Sequence, residues 1–157
     1  MSIEAPQQSE SAEIILSILL PAYNYVEGIE KIFNQLDLLA IPFLWHRIEI
    51  VVMDDSTDNN VEIQMKGIVD TIKCVRYVRN NAAGGPCKNW NMLIQNAQGK
   101  YYILMHHDEF PLTKDFISEV LQHIEKNNDV DMIMMDCILM SKSTNSLRRH
   151  IPSFMRR

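Results

Sequence analysis

Two hydrophobic periods alternate along this chain. Residues 14–20 (IILSILL) form a near-continuous apolar run closed by Pro21, the pattern of a strand buried on both faces. Ile29, Ile32, Phe33 and Leu36 then fall at i, i+3, i+4 and i+7, one apolar face of a helix. A second apolar run, IEIVVM at 48–53, stops at the polar stretch DDSTDNN, and a weaker helical pattern follows over 61–70. KCVRYV at 73–78 reads as a third strand, and NNAAGGP then breaks the chain. Trp90, Leu93, Ile94 and Ala97 mark the next helix face, and 101–105 the fourth strand. Thr113 is placed as the N-cap of a helix carrying Phe116, Ile117, Val120, Leu121 and Ile124. The apolar stretch MIMM, 132–135, comes last, and no internal repeat or low-complexity segment occurs.

Strand and helix in this rhythm predict an α/β domain: a three-layer α/β/α arrangement around a mostly parallel sheet. In such sheets ligands bind beyond the carboxyl ends of the strands. Three of the predicted strands end in conspicuous polar groups: PAYN after the first, DDSTDN after the second and HHDE after the fourth. Each alone is an ordinary turn. Together they point to one shared site.

Bulk properties fit one globular domain and narrow its partners. The chain has 157 residues, 46% hydrophobic and 22% charged, enough for a single core. A net charge of −5 argues against general nucleic-acid binding. The acids run out at Asp136, whereas Lys142, Arg148, Arg149, Arg156 and Arg157 make the end basic. That tail reads as a solvated end, with contact to an acidic membrane surface or a phosphate as the alternative. Cys74, Cys87 and Cys137 are too widely spaced for a structural zinc site or a disulfide framework. The acidic N-terminus is not a secretory signal, and no apolar run approaches a bilayer span. These features place the chain in the cytoplasm, with a peripheral position on the inner face of a membrane left open.

The segments LSILLPAYNYVEGIEKIFNQL and IEIVVMDDSTDN resemble the opening of the family 2 glycosyltransferases, which have the GT-A fold. GGPCKNWNMLIQNAQGKYYILMHHDEFP is similar to that family's glycine turn, helix and metal-binding strand end. The resemblance covers roughly 14–136. It implies a transferase that takes a sugar from a nucleotide-diphosphate donor, usually a UDP-sugar, with Mn²⁺ or Mg²⁺ and inversion at the anomeric carbon. The acceptor, whether saccharide, lipid-linked or protein, is left unidentified.

Residue by residue, the resemblance implies that Pro21, Ala22 and Tyr23 flank the base and ribose. Asp55 matches the acceptor of the base ring N–H, with Asp54 as its companion; a carboxylate suits that task because it only accepts. Gly84 and Gly85 let the backbone approach the donor, and Lys88 supplies positive charge toward phosphate, since Trp90 stands where many relatives carry arginine. Asn91 matches a family asparagine expected to brace the loops. His106, His107 and Asp108 match the Asp-any-Asp motif, which makes Asp108 the metal carboxylate and His106 a ribose or phosphate contact, or alternatively a metal ligand. Strand alternation turns His107 away, without a role. Glu109 supports the metal through water or is a surface acid.

The family's general base lies well downstream of its metal motif and has no positional match here, so the catalytic residue stays unknown. Asp136 ends a strand-like run but does not match. The expected organisation is a flexible segment at 1–13, a nucleotide-sugar-binding domain at 14–140 and a basic tail at 141–157, with the fold stopping after the metal-binding half. A receiver-type signalling domain fits poorly, because the paired acids follow the second strand and not the first. A catalytically silent nucleotide-sugar-binding module is the stronger alternative.

Overall fold

The computed structural model describes residues 13–81, 84–127, 131–133, 135, 137–141 and 146–150. The chain separates into two compact units, Met1–Gln122 and His123–Arg157. That division falls earlier in the chain than the basic tail at 141.

The first unit is built on four strands: β1 (Leu16–Ala22), β2 (Ile48–Asp54), β3 (Val75–Arg79) and β4 (Tyr101–Leu104). All pair in parallel, in the order β3-β2-β1-β4. Helix α1 (Val26–Leu36) and two short 3-10 turns connect β1 to β2; α2 (Asn60–Thr71) leads to β3, and α3 (Gly85–Asn96) to β4. A last helix, α4 (Phe116–Lys126), follows. The mostly parallel α/β reading therefore holds. The chain steps outward from β1 to β3 and then returns to the far side of β1, so strand order reverses between β1 and β4. A crevice at the carboxyl ends of those two strands follows from the reversal.

β1 and β2 are buried along their whole length, as their continuous apolar runs require. Side chains on alternate residues of a strand face opposite ways. Leu19, Val51 and Met53 meet Leu93 of α3 in one cluster, with Val78, Met92 and Ala97 packed against it. Ile18, Leu20, Ile50 and Val52 point to the other face, all at 0% exposure. Burying each such side chain stabilises the fold by about 1.5–3 kcal/mol.

Ser17 and Glu49 are polar interruptions of this core, and they are partnered. Ser17 Oγ donates to Glu49 Oε1 at 2.6 Å, and Arg76 Nη2 donates to Glu49 Oε2 at 2.6 Å. The Gln98 N–H also donates to Glu49, and Arg76 reaches the Asn96 carbonyl at 2.7 Å. This network ties the end of α3 to the amino-terminal half of the sheet, away from the crevice.

Four sequence expectations shift. The buried face of α3 runs through Asn89 and Leu93, while Ile94 is 39% exposed, so Trp90 and Ile94 are not its core face. Thr113 is not a cap: α4 begins at Phe116, with the Asp115 carbonyl accepting from Glu119 N–H, and Lys114 pairs with Asp37 at 2.8 Å in the turn before it. The described residues among 132–135 form no strand. In the second unit, β5 (Cys137–Ser141) instead pairs antiparallel with β6 (Ser146–His150), and β6 lies inside the segment 141–157 read as a tail. An apolar run alone does not fix a strand; pairing does. Among the described residues no helix is long and apolar enough to cross a membrane.

Candidate functional site

The loops after β1 and β2 are zipped together. Asn24 adopts a left-handed conformation (φ 49°), which asparagine tolerates. Its backbone N–H donates to Ser56 Oγ at 2.8 Å, and its side-chain oxygen accepts from Thr57 N–H at 2.9 Å. Asp55 N–H donates to the Ala22 carbonyl at 3.1 Å, which continues the strand pairing past β2.

Asp54 lies beneath this junction. Fully buried, its Oδ1 accepts from Ser56 N–H at 2.8 Å, and its Oδ2 from Tyr77 Oη and Arg79 Nη1, each at 2.7 Å. Arg79 Nη2 also donates to the Ser56 carbonyl at 2.7 Å. Asp54 is thus corrected from ligand contact to frame: both its oxygens are committed inward, and they hold the loop that presents Asp55. Burial, with the Asp54 hydrogen bond, drives the Tyr77 hydroxyl well above its ordinary range.

Asp55 is only half-buried. Burial raises its carboxyl above the ordinary value, and the charge of Asp54 adds to the rise. Behind it stands Asn89, whose Nδ2 donates to the Met53 carbonyl at 2.9 Å and to Asp55 Oδ1 at 3.3 Å. The loop brace is therefore Asn89 and not Asn91, which is exposed.

The remaining candidates divide by exposure. Pro21 and Ala22 are buried, and the Ala22 carbonyl accepts from Asp55 N–H, so they position the site from within. Tyr23 is 51% exposed at the mouth. Gly85 has φ +74° with open space where a side chain would stand, a conformation that strains other residues. Lys88 is exposed, and its stem folds back over Gly84.

β4 ends at Leu104, so HHDE is a turn rather than a strand continuation. Glu109 closes it: its carboxylate accepts from His106 N–H at 2.8 Å, and its N–H donates to the His106 carbonyl at 3.0 Å. His106 Nδ1 lies 2.7 Å from Asp108 Oδ1. That hydrogen bond holds the Asp108 carboxyl below its ordinary value. The Trp90 ring stands edge-on to His106, with centroids 6.1 Å apart, which places this residue beside the site instead of in the core.

His107 does not point away from His106: past the end of β4 strand alternation no longer applies, and the two rings lie 4.3 Å apart, tilted by 44°. The His107 ring lies near the Pro21 carbonyl and meets the Tyr25 ring edge-on at 5.2 Å. Burial, then the neighbouring His106, lowers its pKa. Its carbonyl oxygen presses on Gly28 of α1, where a Cβ would collide with it and with Tyr25. The β1 and β4 ends are therefore joined across the strand-order reversal.

The donor set suits a shared cation and not a protein cage. Among the described residues no group of three or more His, Cys, Asp or Glu is placed to hold a metal. The Asp108 side chain is 68% exposed and offers a hard oxygen ligand. Mg²⁺ or Mn²⁺ bound there would fit if a diphosphate and water completed its sphere.

Comparison with known proteins agrees with this architecture. A glycosyltransferase of Haemophilus influenzae is 30% identical over 115 residues, 73% of this chain and 44% of that protein. The poly(ribitol-phosphate) beta-N-acetylglucosaminyltransferase TarS of Staphylococcus aureus is 29% identical over 121 residues, 76% of this chain and 20% of its own length. The chain thus spans less than half the length of these relatives. In structure it is similar to TarS in complex with UDP-GlcNAc (TM-score 0.56, 24% identity, 72% of this chain and 32% of that one). It is also similar to the mannosyltransferase PcManGT of Pyrobaculum calidifontis in complex with GDP-Man and Mn²⁺ (TM-score 0.57, 19% identity, 76% and 34%). These likenesses establish a GT-A fold. The profile of glycosyl transferase family 2 matches residues 17–157, and the chain belongs to that family.

Proposed function

We propose that this domain binds a nucleotide-diphosphate sugar, a UDP-sugar, together with Mn²⁺ or Mg²⁺, for transfer of the sugar to an acceptor hydroxyl with inversion. The observation that carries the proposal is the convergence of three polar strand ends at one strand-order reversal, tied by the Asp55–Ala22, Asn24–Thr57 and His107–Pro21 contacts. Asp55 accepts the ring N–H of uracil, beside Tyr23. Gly85 and Lys88 face the phosphates. Asp108 holds the cation against the diphosphate, and His106, oriented by Asp108, hydrogen-bonds ribose or phosphate. When bound, the cation would offset the charge that builds on the departing nucleoside diphosphate. UDP is preferred over GDP because TarS, similar in sequence and in fold, is described with UDP and with UDP-GlcNAc.

The test is a thermal-shift panel of UDP, GDP, dTDP and ADP and their sugars, with and without Mn²⁺. A ligand selective for the native state stabilises it by ~2.7 kcal/mol at a hundredfold excess over its Kd. The largest shift is expected from UDP or a UDP-sugar with Mn²⁺. Equal shifts from UDP and ADP would remove the base assignment. Binding without transfer, in a protein that carries the rest of the relatives' length, would favour the silent module.

A further inference from the structure

We infer that Asn89 is a specificity-determining positioning residue: it fixes the Asp55 carboxylate from behind and locks it to the opening turns of α3. The inference rests on the reading of Asp55 as the acceptor for the base.

Asparagine inside a helix ordinarily faces water, yet Asn89 is only 2% exposed. It shares the buried face of α3 with Leu93, at i and i+4. Its amide is fully used. Nδ2 donates to the Met53 carbonyl at 2.9 Å and to Asp55 Oδ1 at 3.3 Å, and Oδ1 accepts from Asn80 Nδ2 at 3.0 Å. Two acceptors on one end and a donor on the other fix the amide's orientation, because a flipped amide would set oxygen against oxygen twice. Asn80 is anchored in turn, its N–H donating to the Asp54 carbonyl at 2.7 Å.

Two consequences follow. Asp55 Oδ1 is held inward, which sets the direction in which the other oxygen is presented. The same amide joins the loop after β2 to the helix that carries Lys88 and Trp90, so the base side and the phosphate side of the site share one support. A serine or alanine at 89 leaves the Met53 carbonyl and Asp55 without that donor, and the carboxylate is free to rotate.

The test is calorimetric titration of UDP and of ADP, with Mn²⁺, into the parent chain, Asn89→Ala, Asp55→Ala and Leu93→Ala. Leu93 is fully buried on the same helix face and outside the amide network, so Leu93→Ala reports what destabilising α3 does by itself. The parent is expected to prefer UDP. Asn89→Ala should cut that preference about tenfold, toward the value in Asp55→Ala, by weakening UDP and leaving ADP unchanged. Leu93→Ala should lower the melting temperature and keep the preference. Should Asn89→Ala not fold, Asn89→Ser is read by the same ratio. An Asn89 variant that keeps the parent's ratio overturns the inference while leaving the role of Asp55 intact. A parent without any UDP preference overturns both.

Discussion

His106 Nδ1 sits 2.7 Å from Asp108 Oδ1, two residues away, inside a turn that Glu109 closes with hydrogen bonds to both ends of His106. The pair places one carboxylate and one imidazole, both accessible to solvent, in the turn that follows β4. If Asp108 holds a cation that also touches the diphosphate, cation and nucleotide must tighten each other's binding by the same factor. Asp108→Asn keeps the size and removes the charge. With its side chain 68% exposed, Asp108 contributes little to folding, so the melting temperature should barely move. UDP titrated in EDTA and again in Mn²⁺ should show an enhancement in the parent and almost none in the variant. Equal UDP affinity of the parent in both buffers would end the metal role.

Gly28 gives a sharper test of the same turn. An alanine near the start of a helix ordinarily stabilises by about 1 kcal/mol relative to glycine. Here the added Cβ would collide with the His107 carbonyl oxygen and the Tyr25 ring. Backbone does not yield as a flexible side chain does, so the collision should win. Gly28→Ala is expected to lower the melting temperature and to weaken Mn²⁺-dependent UDP binding, since the displaced turn carries His106 and Asp108. His107→Ala should also destabilise, because the part-buried ring leaves its packing against the Tyr25 and His106 rings. His106→Ala should leave stability nearly unchanged and reduce only the metal-dependent affinity. A Gly28→Ala protein as stable as the parent would show that α1 and the turn are not in fixed contact.

Much of this was legible in the sequence, for physical reasons that also explain the rest. β1 and β2 are buried on both faces, so IILSILL and IEIVVM made both strands legible, although β1 runs from Leu16 through Pro21 to Ala22 and not from 14 to 20. The polar strand ends stood out because charge beside a core needs a partner. Asn89 escaped notice because the apolar face of α3 was taken through Trp90 and Ile94. Shifting that face by one residue places an asparagine at i−4 to Leu93, and a polar residue on a buried face is itself the signal of a network. Asp54 and Asp55 are adjacent and chemically alike; only the positions of Arg79 and Tyr77 decide that the first turns inward. The β5–β6 pairing depends on contacts between segments that no local pattern encodes.

Arg79 is predicted to hold the loop after β2 through Asp54. Removing one member of a buried ion pair is costly because the other charge remains, about 3–5 kcal/mol when both are fully desolvated. The Arg79 side chain is 21% exposed and Asp54 0%, which lowers the expected cost of Arg79→Met to about 2–4 kcal/mol. Asp54→Asn should also destabilise, because Tyr77 and Arg79 lose a charged acceptor. The double variant should cost less than the sum of the two, since neither charge is left alone. Urea unfolding of the four proteins gives the cycle directly. Strict additivity would mean that Arg79 and Asp54 do not act as a pair.

The last prediction concerns acid. Glu49 is 3% exposed, and burial by itself would raise its carboxyl. Hydrogen bonds from Ser17, the Gln98 N–H and Arg76 outweigh that, and its pKa falls below the ordinary 4.5. A carboxyl depressed in the folded state binds its proton more readily when unfolded. Its stabilisation is therefore complete above the unfolded value and is lost as the pH falls through the folded one. Stability should decline from about pH 5 downward, and part of the slope should belong to Glu49. Glu49→Gln removes the titrating group. It should be less stable near neutral pH, since Arg76 and two other donors lose a charged acceptor, and should lose less between about pH 5 and 3. Parent and variant curves should therefore converge in acid. Denaturant unfolding at several pH values decides it: a constant gap between the two proteins across that range would mean that Glu49 holds no proton-linked stability.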